Sequence, residues 1–174
     1  AQAAFITKHP ENQATELYRL NISTEYTNLK NEALPCSASA LTGNAEQIWL
    51  AGTDGKLYSA AFPEGKVKAL SNLDFSQSEV LALALLAQHR LAVLQAKQIS
   101  IVDLKTNKIA QTFENADAAS TLAASPDGLW FVIGFRKGNV AVYHTETADG
   151  EFALSSEGAV HQGQVTALLF AANE

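Results

Sequence analysis

A repeat of about forty residues constrains this chain more than any other feature. Four segments align: Thr15-Glu16-Leu17-Tyr18-Arg19-Leu20, Gly55-Lys56-Leu57-Tyr58-Ser59-Ala60, Lys97-Gln98-Ile99-Ser100-Ile101-Val102 and Gly138-Asn139-Val140-Ala141-Val142-Tyr143. Anchored on Leu17, Leu57, Ile99 and Val140, they recur at intervals of 40, 42 and 41 residues. A period of that length marks an architecture in which one unit cannot bury its apolar face alone and must stack on the next.

Each repeat has the same internal order. Before each anchor lies another apolar run: Ala4 to Ile6, Ile48 to Ala51, Leu91 to Leu94 and Trp130 to Ile133. Short polar links join each pair, and two of them, Thr53-Asp54-Gly55 and Arg136-Lys137-Gly138, are tight-turn sequences. Glycine there supplies a positive φ without a Cβ clash, and aspartate bonds its own backbone. Each pair therefore reads as a β-hairpin. A third apolar run precedes every hairpin but the first: Ser37 to Leu41, Val80 to Leu86 and Ser120 to Ala124, with a last one at Val165 to Phe170. Ser125-Pro126-Asp127-Gly128 follows the third of these as a strong turn signal. A weaker, more polar run follows each hairpin, near Leu29 to Leu34, Lys66 to Leu70, Lys108 to Phe113 and Phe152 to Ser155. That weakness suits an outer edge strand, which must avoid pairing with other proteins.

Val80 to Leu91 has helical propensity, since Leu and Ala dominate, and Ser76 to Glu79 could start a helical turn. The repeat places a strand there instead, and no window sustains a 3.6-residue period with caps at both ends. Naming the strands of a unit a to d from inner to outer, the chain carries b-c-d, three complete units and one further a strand, sixteen strands in all. The unit boundaries fall near 3–34 for the first b-c-d, then 36–71, 79–114 and 118–157, with the next inner strand over 163–171. Four-stranded units at this spacing are the sequence signature of a β-propeller. The expected fold is thus all-β, with four-stranded antiparallel blades spanning 1–174.

On these residues the chain resembles WD40-type propellers. Ser125-Pro126-Asp127-Gly128 stands where that family carries a turn between strands a and b, and Asp54-Gly55 matches its b–c turn. His161-Gln162-Gly163-Gln164-Val165-Thr166-Ala167-Leu168-Leu169-Phe170 is similar to the opening and inner strand of a repeat. The departures are plain: no Trp-Asp dipeptide closes a c strand, Ile101-Val102-Asp103-Leu104 coming nearest, and the Gly-His opening is missing from the earlier units. The family's Asp, Ser/Thr, His and Trp hydrogen-bond set is complete in no unit. The resemblance implies that His161 bonds backbone or a Ser/Asp of its own blade. It also implies a ring of about seven or eight blades, of which this chain holds about four. Closing a ring of four with the last inner strand is the alternative. The open end at Glu174 and the start at Ala1 without Met are expected to mark a processed, trimmed or partial chain, or half of a ring completed by a second chain.

Few residues invite a chemical reading. His9, His89, His144 and His161 sit at turns or strand ends in this register and make no metal spacing. Cys36 follows Pro35 at the start of an inner strand, lacks a cluster of Lys or Arg, and reads as an inert thiol. Asp54, Asp103, Asp127 and Asp149 fall one to a turn, where each has a structural role, so a paired acid and base is the weaker reading. Trp49 and Trp130 occupy matching b strands and read as packing between blades. No nucleophile elbow, phosphate loop, dinucleotide fingerprint or haem attachment motif is present. Asn21-Ile22-Ser23 matches a glycosylation sequon, which matters only in a secreted protein. The turn residues singled out are Asp54, Gly55, Pro126, Asp127, Gly128, Gly138 and His161, and Arg136-Lys137 is the basic pair at which a partner peptide could dock.

Composition narrows the partners. The 174 residues carry a net charge of −6, which argues against a nucleic-acid surface needing clustered Lys and Arg. Acidic loops at Glu114 to Asp117 and Asp149 to Glu157 read as solvated, with a basic partner as the sharper alternative. The longest apolar run, Val80 to Ala87, is far short of the roughly 20 residues that span a membrane. No signal peptide pattern is visible; one cysteine leaves the compartment open, with the cytoplasm favoured. The expected function is a non-catalytic protein-interaction platform without cofactor or metal. Two alternatives stand beside it: an enzyme or small-molecule binder with its site at a central channel, and a structural half that pairs with a complementary chain or a second copy.

Overall fold

The computed structural model describes residues 2–8, 15–21, 30–44, 46–61 and 66–171. These residues hold strands and no helix. The strands are β1 (Gln2–Lys8), β2 (Thr15–Asn21), β3 (Lys30–Ala33), β4 (Ala38–Gly43), β5 (Gln47–Gly52), β6 (Leu57–Ala61), β7 (Lys68–Ala69) and β8 (Val80–Leu86). They continue as β9 (Arg90–Gln95), β10 (Gln98–Asp103), β11 (Lys108–Glu114), β12 (Ala119–Ala124), β13 (Trp130–Phe135), β14 (Asn139–His144) and β15 (Ala153–Ala159).

All neighbours pair antiparallel in chain order, giving one three-stranded sheet, β1-β2-β3, and three four-stranded sheets, β4 to β7, β8 to β11 and β12 to β15. The chain divides into two compact units, Ala1–Glu79 and Val80–Glu174. The registers repeat. Leu57 lies opposite Ala51, Ile99 opposite Leu94 and Val140 opposite Gly134, so the sequence anchors occupy one position in each hairpin. The first strand of each four-stranded sheet carries a register shift at its second residue: between Ala38 and Ala40, Val80 and Ala82, and Ala119 and Thr121.

Burial is graded across the four-stranded sheets. In β9, residues Leu91 to Leu94 are all fully buried, because both faces of this second strand are covered. A strand covered twice reads as a continuous apolar run and not as alternation. In the second unit the core joins Ala84, Leu94, Ile99 and Ile101 to Phe131, Ile133, Tyr143 and Phe152. Phe131 stacks on Tyr143 at 4.7 Å between ring centroids and tilts against Phe152 at 5.0 Å. In the first unit Ile48, Leu50 and Tyr58 form the core, with Leu34, Cys36, Ala38, Leu41 and Val67 against it. Every residue of β15 is exposed, as an edge strand should be.

Several expectations need correcting. Val165 to Phe170 belongs to no sheet, so fifteen strands are described where the repeat suggested sixteen. Its residues have strand composition, but a strand forms only against a partner edge. The outer strand expected over Lys66 to Leu70 shrinks to Lys68–Ala69. The one expected from Phe152 to Ser155 instead runs from Ala153 to Ala159, because Phe152 turns inward and is 3% exposed. Val80 to Leu86 is a strand, as the repeat required against propensity. Ser76 to Glu79 makes only a turn, closed by Ser78 N donating to Phe75 O at 3.4 Å. Among the described residues no helix is long and apolar enough to cross a membrane.

Candidate functional site

The residues of chemical interest gather at the turns. In the first unit, Asp54 holds the β5–β6 turn. Its Oδ1 accepts Lys56 N at 3.2 Å and the Cys36 thiol at 3.4 Å, while Oδ2 accepts the Tyr58 hydroxyl at 2.6 Å. Lys56 Nζ stands 4.0 Å from Oδ2. Gly55 adopts φ +78°, and a Cβ there would strike the Ser76 backbone, so only glycine fits. Burial pushes the Tyr58 hydroxyl well up, and the Asp54 carboxylate beside it adds to the shift. Burial also raises the Cys36 thiol. A thiol held protonated is a poor nucleophile. For Asp54, burial works to raise the carboxyl, but the hydrogen bonds from Tyr58, Lys56 and Cys36 outweigh it and hold the group below its ordinary value.

In the second unit, Ser125-Pro126-Asp127-Gly128 joins β12 to β13. The Ser125 hydroxyl donates to Asp127 Oδ1 at 2.5 Å and accepts Trp130 N at 3.0 Å, and Asp127 Oδ1 accepts Leu129 N at 3.0 Å. Gly128 has φ +69° and its carbonyl accepts Ala87 N at 3.2 Å. Trp130 lies opposite His144 and stacks on its ring at 3.8 Å. The Ser125 hydrogen bond, with Leu129 N and the charge of His144 behind it, holds the Asp127 carboxyl below its usual range. Ser125, Asp127, Trp130 and His144 thus come together, which the motif reading did not anticipate. The signal was available: Trp130 and His144 are cross-strand partners once the hairpin register is drawn. Among the described residues no histidine bonds the Ser125 hydroxyl, whose proton goes to the Asp127 carboxylate as part of the turn's own hydrogen bonding.

The third turn, Arg136-Lys137-Gly138, joins β13 to β14. Arg136 and Lys137 are exposed, and Lys137 Nζ stands 3.5 Å from Asp117 Oδ1. Gly138 has φ +88°, and its carbonyl accepts Val160 N at 3.0 Å and His161 N at 3.1 Å. His161 Nδ1 accepts Gly163 N at 2.8 Å. The remaining singled-out residues stand apart. His89 has φ +60° in the β8–β9 turn. Asp103 Oδ1 accepts Lys105 N at 2.8 Å and Thr106 N at 2.9 Å. Asp149 lies in the turn closed by Gly150 N on Thr147 O at 2.9 Å. Trp49 is 5% exposed in β5. His9 and most of the sequon lie outside the described residues, whereas Asp54, Asp103, Asp127 and Asp149 all lie within them, and none of the four is hydrogen-bonded to another.

Arg90 was not anticipated at all. Its guanidinium donates to Gly150 O at 2.6 Å and Ala148 O at 2.5 Å and lies 5.6 Å from the centre of the Phe152 ring. Gln111 closes the same loop, accepting Phe152 N at 2.9 Å and donating to Phe152 O at 3.2 Å. Beside this loop is an open groove of about 490 Å³ whose lining includes His144, Glu146, Glu151 and Leu154. Among the described residues no group of three His, Cys, Asp or Glu could hold a metal ion. What the turns offer is fixed backbone geometry and exposed charge.

No protein-family model matches the chain. No curated protein matches it either. Solved structures share its fold. The computationally designed Ika8 protein aligns over 97% of this chain and 53% of its own, at 18% identity and a TM-score of 0.68. The WD40 domain from Toxoplasma gondii coronin aligns over 94% and 45%, at 11% identity and a TM-score of 0.71. The designed Ika4 protein aligns over 82% and 84%, at 21% identity and a TM-score of 0.64. The chain therefore spans about half the length of the first two. These likenesses establish an all-β fold of four-stranded antiparallel sheets shared with a WD40 domain.

Proposed function

We propose that this chain is a WD40-like β-propeller portion that serves as a protein-interaction platform, with the Arg136-Lys137 turn as a partner contact. The observation that carries this reading is the fold likeness to a WD40 domain over 94% of the chain. The turns support it. Asp54, Asp127 and Asp103 each lock a turn with side-chain to backbone hydrogen bonds. A surface fixed in advance loses little conformational entropy when a partner docks. Successive turns of an antiparallel sheet lie at opposite ends, so the Asp54 and Arg136-Lys137 turns are of one kind and the Asp127 and Asp103 turns of the other; recognition is carried by such loops on a rigid scaffold. Gly55, Pro126, Gly128, Gly138 and His161 serve the same structural purpose in this reading. The function is non-catalytic, without cofactor.

The test is partner capture by the immobilised chain, with wild type compared to the double variant Arg136→Glu, Lys137→Glu. A discrete set of proteins held by the wild type and released by the variant supports the reading. Equal capture by both, or none by either, counts against it.

A further inference from the structure

The three-stranded sheet and the unpaired segment 165–170 have matching deficits. β4, β8 and β12 each lie beside the second strand of their own sheet. β1 occupies that second position in the first sheet, since Ile6 lies opposite Leu17 as Ala51 lies opposite Leu57. Yet β1 pairs only with β2 among the described residues. At the other end of the chain, Val165 to Phe170 approaches in the way the inner strands do. Val160 N and His161 N bond Gly138 O as Asn115 N bonds Lys97 O and Phe75 N bonds Gly55 O. Ala119 and Val80, the first residues of β12 and β8, follow a few residues after those bonds, as Val165 does after His161.

Val165 itself is anchored: its N–H donates to Phe135 O at 3.1 Å and its carbonyl accepts the Ser120 hydroxyl at 2.6 Å. Beyond it the segment is left unpaired. Leu169 is 93% exposed, although apolar. An apolar extended segment and an open strand edge each invite strand addition.

We propose that Val165 to Phe170 of one copy adds as the inner strand on the free edge of β1 in a second copy, while the second copy returns its own segment. This rests on the propeller reading above and names a partner for it. Among the described residues one chain carries both the unpaired edge of β1 and the unpaired segment 165–170, so reciprocal exchange between two copies of it would satisfy both in one two-fold assembly. The register follows from the three complete sheets. Ala38 lies opposite Gly52 and Ala40 opposite Ala51; Val80 lies opposite Gln95 and Ala82 opposite Leu94; Ala119 lies opposite Phe135 and Thr121 opposite Gly134. Transferred through Ile6, this places Val165 opposite Thr7, Ala167 opposite Ile6 and Leu168 opposite Phe5, with Thr166 at the register shift. Ser39 and Ser120 at that shift donate their hydroxyls to Ala51 O at 3.4 Å and Gly134 O at 3.0 Å. Thr166 is the one β-hydroxyl residue of the segment and stands at the same place, where its hydroxyl reaches Ile6 O of the other copy.

The test combines mass and cross-linking on the full chain in a Cys36→Ser background. Light scattering is expected to read about twice the 18.6 kDa of one chain. The pair Phe5→Cys, Leu168→Cys is expected to oxidise to a disulfide-linked dimer, since opposed strand residues lie about 4.5–5.5 Å apart at Cα. The pair Ala3→Cys, Val165→Cys, out of register by four residues or about 13 Å, is expected to yield at least tenfold less. Leu168→Asp is expected to return the mass to that of one chain. A monomer whose in-register cysteines link within one chain overturns the second copy in favour of self-closure. A monomer without the link, equal linking by both pairs, or a different protein held at the β1 edge overturns the proposal as well. Arg136→Glu, Lys137→Glu should leave the mass unchanged, so a failed capture experiment and a failed exchange are read separately.

Discussion

Replacing Gly128 with alanine tests whether turn geometry, and not turn composition, holds the second unit together. Gly128 sits at φ +69°, a left-handed conformation that costs an L-residue roughly 1–2 kcal/mol. The added Cβ would also run into the Ala87 backbone, with Leu86 C at 2.7 Å. Neither neighbour is a flexible side-chain end, so the β8–β9 turn must shift. That shift breaks the bond from Ala87 N to Gly128 O, worth about 1 kcal/mol. The combined loss is roughly 2–4 kcal/mol. With a urea slope of about 2 kcal/mol per molar, the midpoint should fall by roughly 1–2 M. Trp130, two residues away and stacked on His144, gives a fluorescence readout. The control is Gly158→Ala in β15, where a Cβ meets nothing within 4 Å. There the smaller conformational freedom of the unfolded chain should leave stability unchanged or raised by up to about 1 kcal/mol. If Gly128→Ala melts within about 0.3 M of wild type, or no lower than Gly158→Ala, the steric reasoning fails.

Three further outcomes are expected. Tyr58→Phe removes the 2.6 Å donor from Asp54 and should cost about 1–2 kcal/mol by urea melt, with the Asp54 carboxyl titrating higher by NMR. For Asp127 the folded carboxyl is held low by Ser125, so its ionised form favours folding; that contribution is present above about pH 4 and lost as pH falls through the folded value. Asp127→Asn should therefore lose less stability than wild type between pH 5 and pH 2 in acid melts, and parallel curves would refute the assignment. Arg90→Ala frees the carbonyls of Ala148 and Gly150, and limited proteolysis should then cut within 145–151 at least several-fold faster while the sheets persist by circular dichroism.

What the sequence made legible was whatever repeats. Leu57, Ile99 and Val140 could be superposed by spacing alone, and they share a register position because every sheet solves the same burial problem. Val80 to Leu86 shows the strength of that signal, since Leu and Ala favour a helix and the sheet context overrides them. The turn residues were equally plain, because a positive φ at Gly55, Gly128 and Gly138 leaves glycine little competition. Contacts between residues far apart in sequence were not legible. Arg90 reaches Gly150, and Gln111 reaches Phe152, across separations no local pattern encodes. The Tyr58–Asp54–Cys36 cluster was half visible: Asp54 and Tyr58 face one way across a tight turn, but Cys36 arrives from another strand.

The unpaired segment shows where local information ends in principle. Val165 to Phe170 has the composition of β8 and β12, and the same backbone bonds guide it in. It nevertheless stays outside every sheet, because a strand is a property of two edges and only one of them lies beside it. Leu85 and Leu86 occupy strand positions in β8 with their cross-strand partners Leu91 and Arg90 in place, whereas Leu169 carries the same kind of side chain at 93% exposure. Burying a leucine fully is worth about 1.5–3 kcal/mol. Among the large hydrophobic residues described, Leu169 is the most exposed, and it lies in a segment that pairs with no strand; the proposed strand exchange rests on that imbalance.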